Sequence, residues 1–105
     1  NVADEIIQAA NEVNALGESS QKILNVYFPE NVHGLHVIDN TPPFDTYKIL
    51  AVNISLGEQN TYILRSGEPQ LEILGFENND DAYPGQHRIR IWADDVGKVS
   101  IEEAD

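Results

Sequence analysis

The chain has 105 residues, 18 acidic and 6 basic, for a formal charge of −12 at neutral pH. That length accommodates one hydrophobic core, and that charge repels phosphate backbones and anionic lipid surfaces, which weighs against nucleic acid as a partner. Cysteine is absent, so neither a disulfide nor a thiolate metal site is expected; the 41% apolar share, arranged in short patterned runs, predicts a packed core.

The first element is a helix over residues 2–16. Val2, Ile6, Ala9, Ala10, Val13 and Leu16 recur at helical spacing, and Gly17 stands where a helix stop favours glycine. Ala3 and Ile7 widen the apolar arc to roughly 180°, against the roughly 100° that one sheet contact requires. Apolar surface is therefore expected to spare, and Val2, Ile6, Ile7, Ala10 and Val13 form the expected packing set.

After Gly17 the apolar period shortens to two, as in strands. Leu24, Val26 and Phe28 share a face up to Pro29, and Gly34 to Ile38 forms a shorter run before the break Asn40-Thr41-Pro42-Pro43. Lys48 to Leu56 alternates most regularly, and Gly57-Glu58-Gln59-Asn60 reads as a hairpin loop into Thr61 to Arg65. A turn at Ser66 to Pro69 leads to a strand over Gln70 to Phe76, and Glu77 to Gly85 reads as a polar loop. His87, Ile89, Ile91 and Ala93 then face one way and Arg88, Arg90 and Trp92 the other, before a turn at Asp94 to Gly97 and a closing strand with Val99 and Ile101. The expectation is a single mainly β domain over 1–105: one amphipathic helix, then a β body over 21–104, an antiparallel sandwich or strongly bent sheet of about seven strands. No parallel crossover is expected, because no second helix is present to make one.

The candidate chemistry is sparse. His33, His36 and His87 are the candidate ligands for a zinc-type hydrolase, but side chains three apart on a strand point to opposite faces. Glu77, Asp80 and Asp81 are the best oxygen donors for calcium, in a loop lacking EF-hand spacing. Asp94 and Asp95 sit adjacent in a turn, where carboxylates diverge, and there is neither a nucleophile elbow nor a phosphate-cradling glycine loop. Asn53-Ile54-Ser55 is an N-glycosylation triplet with Asn53 facing away from Leu50, Val52 and Ile54. Arg88, Arg90 and Trp92 form an outward stripe suited to a protein or glycan partner. The expectation is no enzyme and no cofactor.

Two stretches carry a resemblance. Ala9 to Ser20, followed by Ile23 to Pro29 and Glu30-Asn31-Val32, resembles the helix, Leu-Gly stop, strand and Phe-Pro-x-x-Val step of archaeal type IV pilin-like surface proteins with class III signal peptides. Pro84 to Ile91 with Gly97 to Ile101 is similar to the closing hairpin of such extracellular domains. The resemblance implies an extracellular, cell-surface structural subunit. Its helix would continue upstream into a hydrophobic segment that anchors it in a membrane and then packs against copies of itself in a filament. The chain begins at Asn1 and contains no methionine, so a trimmed soluble domain is expected, with the wide helix arc shared between its own sheet and neighbouring helices. The alternative is a free-standing extracellular β-sandwich for adhesion or for binding other cell-surface proteins or glycans.

Overall fold

The structure is a computed structural model, described here for residues 1–39, 46–76, 82–95 and 97–104. The expected mainly β fold with one leading helix is what the chain adopts. Helix α1 spans Val2–Leu16, and the strands are β1 (Gln21–Phe28), β2 (Val32–Asp39), β3 (Tyr47–Leu56), β4 (Gln59–Ser66), β5 (Gln70–Leu74), β6 (Gly85–Asp95) and β7 (Lys98–Glu103). They form two sheets, a four-stranded one in the order β1-β6-β7-β5 and a three-stranded one in the order β2-β3-β4. The break at Asn40 to Pro43 lies outside the described residues.

Helix α1 begins and ends on specific backbone chemistry. The Asn1 side chain accepts from the Asp4 amide at 3.0 Å, so one of the orphan donors of the first turn is satisfied. At the other end Gly17 takes φ 95° and ψ −173°, a conformation open essentially to glycine, while its amide still donates to Val13. The chain is thereby turned into β1, and Ser19 and Ser20 exchange backbone hydrogen bonds with Ala93 before the strand proper starts.

The width of the helix arc has a structural cause. Val2, Ala3, Ile6, Ile7, Ala9, Ala10 and Val13 are all buried by the chain itself, because α1 lies against β1, β6 and β7 of one sheet and against β3 and β4 of the other. A helix wedged between two sheets needs more than one sheet's arc. The expected surplus is thus taken up inside the domain, and Val2, Ile6, Ile7, Ala10 and Val13 belong to its core; Leu16, at 76% exposure, is the large apolar residue of α1 that stays outside. Three polar contacts fasten the wedge: Asp4 to Arg65 of β4, Glu12 to Lys22 of β1, and the Asn11 side chain to the Glu68 amide.

One expectation is corrected. β5 pairs with β7 in parallel, Leu71 opposite Val99 and Ile73 opposite Ile101. A parallel pair requires a crossover, which a helix usually supplies; here the crossover contains β6, and β7 then inserts between β6 and β5. The driving force lies in β7 itself, whose Val99, Ser100 and Ile101 are fully buried and so need a strand on each side. Strand limits also differ slightly: β5 ends at Leu74, β6 already starts at Gly85, and the β3–β4 hairpin turns on two residues only. Gly57, with φ 66° at the first central position, is the residue that a II′ turn requires there.

Candidate functional site

The outer face of the four-stranded sheet carries the stripe singled out in the sequence. The register sets Trp92 opposite Gln21 and Ser100, Arg90 opposite Ile23 and Glu102, and Arg88 opposite Asn25. Arg90 lies over the Trp92 ring at 4.3 Å from its centroid, donates to Gln21 at 2.9 Å and pairs with Glu102 at 3.2 Å. Lys98 pairs with Glu72 at 3.4 Å across the parallel β5–β7 junction. Trp92 is thus half-buried beneath a guanidinium that is itself held from two sides. A sugar ring stacking on this indole must first displace Arg90, giving up a cation–π contact and an ion pair.

The three histidines do not converge. His87 is buried on the inner face of β6, its ring stacked 4.2 Å from Phe28, tilted against Tyr83 at 4.1 Å, with Phe76 edge-on at 5.8 Å. Nε2 lies 2.6 Å from the Tyr83 carbonyl and Nδ1 lies 3.0 Å from a Glu103 carboxylate oxygen. Since a carbonyl only accepts, Nε2 donates to Tyr83, and both ring nitrogens have a polar partner inside the core. His36 sits on the outer face of β2 beside Tyr62, and His33 falls in the bulge between Val32 and Gly34. Among the described residues no three histidine or carboxylate side chains gather as a metal would require. The calcium candidates Glu77, Asp80 and Asp81 lie outside the described residues.

The outer face of the three-stranded sheet is of another kind. Cross-strand pairing sets Ala51 between His36 and Leu64, Asn53 between Gly34 and Tyr62, and Ile49 between Ile38 and Ser66. Ile38, Tyr62 and Leu64 are 40%, 54% and 50% exposed, so the face is apolar and open. The glycosylation candidate Asn53 stands in its middle, half-buried, its Oδ1 without a hydrogen-bond partner among the described residues. Sequence reasoning did not single out Tyr62 and Leu64. The available signal was that β4 carries apolar residues on both alternating sets, Ile63 inward and Tyr62 with Leu64 outward, whereas a strand covered on one face needs only one.

Grooves open on the surface of the described residues. One, of about 430 Å³, runs between β2 and β5 past Leu35, Val37, Tyr47, Leu71 and Ile73, with Lys98 and Glu72 at its rim. Another, of about 220 Å³, lies beside the first turn of α1 against Tyr27, Val32, Val52, Ile54 and Ile63. The first mixes these apolar side chains with His36, Gln70, Glu72 and Lys98, whereas the second is mainly apolar. Two exposed carboxylates, Asp4 and Glu12, are held below the usual carboxylate range by hydrogen bonds from Arg65 and Lys22 respectively, so both serve as fasteners of the helix. No helix among the described residues is long and apolar enough to cross a membrane. No protein-family model, curated protein or solved structure matches this chain.

Proposed function

We propose that this chain is the globular domain of a pilin-like cell-surface protein, a structural subunit whose work is to be held and displayed. The observation that carries the reading is the joint between α1 and the body. The helix is clamped between both sheets along Val2 to Val13 and pinned by Asp4–Arg65 and Glu12–Lys22, so a pull on the helix is shared by every layer of the domain. A helix whose only task was to cover a sheet would need one narrow apolar stripe. The resemblance of the helix, Leu16-Gly17 stop, first strand and Pro29 step to archaeal surface subunits supports the same reading. The helix residues expected to meet other helices are engaged within the domain, so in this reading α1 carries the domain and copies meet through sheet surfaces.

The test is localisation in the cells that encode the chain, with antibodies raised against the folded domain. Labelling of intact cells, in rows along filaments under immunogold electron microscopy, is expected. Antigen confined to the lysed, cytosolic fraction would contradict the reading.

A further inference from the structure

We propose that β4 is a self-association edge, at which two copies of this chain pair antiparallel about a two-fold axis through Tyr62 and join their three-stranded sheets into one of six strands. β4 is one of the two edges of its sheet, with no described strand on its far side. Its free backbone groups follow from the hairpin. The pair Leu56–Gln59 closes a two-residue loop and is therefore hydrogen-bonded, so Thr61, Ile63 and Arg65 also turn their backbone groups toward β3. Asn60, Tyr62 and Leu64 turn theirs outward. The same alternation sends the Ser55 amide away from β4 to Asn31, as observed at 2.9 Å.

The occupant is argued from charge. In a chain of net charge −12, the run Gln59-Asn60-Thr61-Tyr62-Ile63-Leu64 holds no charge at all. Two copies meeting there bring no like charges face to face, and a strand paired with its own image closes after two, as a two-fold contact must. Centring on Tyr62 pairs Asn60 with Leu64 of the second copy, for about six backbone hydrogen bonds. It also sets Arg65 within one residue of Glu58 of the second copy. Arg65 already donates to the Leu64 carbonyl at 2.9 Å, and that oxygen has a second lone pair for the incoming amide. On the outer face the exposed Tyr62 and Leu64 of both copies become neighbours. β1, one edge of the other sheet, also has an uncharged run, Ile23 to Phe28, but there Arg88 and Arg90 of β6 stand directly beside it, so two copies meeting at β1 bring two pairs of like charges close together. The inference rests on strand geometry and charge, independently of the surface-subunit reading.

Sedimentation equilibrium of the full chain, in about 0.5 M salt to screen the net charge, tests it. As concentration rises from about 1 µM to about 1 mM, the mass is expected to climb from 11.7 kDa toward that of two chains. Tyr62→Glu sets two carboxylates against each other on the axis and is expected to weaken the association at least about 10-fold, with circular dichroism unchanged because the position is exposed. Asn25→Glu, on the exposed face of β1, is expected to leave it unaltered. A chain that stays monomeric throughout overturns the proposal, as does an association that Tyr62→Glu leaves intact or that Asn25→Glu abolishes.

Discussion

The two sheets of this protein share one core and one helix, yet their outer faces are finished in different ways. On the four-stranded sheet Arg90 covers Trp92 and is tied to Gln21 and Glu102, and Lys98 meets Glu72, so the middle of the face is closed while Ile23, Tyr27 and Leu74 are exposed toward its two edges. On the three-stranded sheet Ile38, Tyr62 and Leu64 stand open around a half-buried Asn53. A surface whose polar groups satisfy one another gives a partner little reason to bind, because each new contact must replace one already made. A surface of exposed apolar and aromatic side chains next to an unpaired edge loses nothing on being covered. The difference is the ground on which the proposed contact surface is set at β4 and not at the stripe that the sequence alone recommends.

The comparison presumes that both sheets belong to one cooperative body, and the largest expected effect tests that presumption. Ile6 is fully buried in the wedge, so Ile6→Ala should cost about 2–5 kcal/mol in denaturant unfolding, with fluorescence and circular dichroism moving together. Separate transitions for the two probes would mean that the sheets are not held by the helix jointly.

Next in size is the core of the four-stranded sheet. His87→Leu keeps the volume but leaves the Tyr83 carbonyl without its donor and the Glu103 carboxyl without its ring-nitrogen partner, a loss of about 1–3 kcal/mol by the same measurement. A neutral result would show that water serves these groups equally well.

The outer faces themselves are contrasted by two milder substitutions. Arg90→Ala removes the cover of Trp92 and should cost about 1 kcal/mol, with tryptophan emission shifting to the red as the indole meets water. Tyr62→Ser on the other sheet should change monomer stability by less than about 0.5 kcal/mol. Equal costs would erase the distinction between a satisfied face and an open one.

The smallest effect is acid dependence. Asp4 and Glu12 are ionised more readily in the folded chain than in the unfolded one, because Arg65 and Lys22 hold their carboxylates. Lowered folded values stabilise above the ordinary carboxylate range, and that contribution fades as pH falls through the folded values. Between pH 5 and 7 these two pairs should therefore contribute a constant amount, declining below about pH 4. The Asp4→Asn, Glu12→Gln double variant should show a shallower acid limb; an unchanged limb would assign acid sensitivity to other carboxylates.

Much of this fold was legible because its signals are local. The helix from Val2 to Gly17 follows from spacing and a stop residue, and the β3–β4 hairpin follows from alternation around Gly57. The parallel β5–β7 pair was not legible, since pairing partners depend on how a non-local sheet closes and the usual marker, a crossover helix, is replaced by a strand. The width of the helix arc is legible, whereas its division between the domain's own sheet and neighbouring helices is not, because a sequence reports how much of a helix must be covered without saying by what. The candidate site shows the same limit. Alternation places Arg88, Arg90 and Trp92 on one face, yet the stacking of Arg90 on Trp92, which covers the indole, depends on side-chain direction. His87 reads as a possible ligand until Phe28, Phe76 and Tyr83 are seen to enclose it, and these come from three separate stretches of chain.

Hydrogen exchange across β4 as a function of protein concentration tests the account most directly. The amides of Asn60, Tyr62 and Leu64, which point to the open edge, should exchange freely in dilute solution and become protected together as concentration rises, while those of Thr61 and Ile63, bonded to β3, stay protected throughout. Concentration-independent exchange at Asn60, Tyr62 and Leu64, or protection that grows on β1 instead, would contradict it.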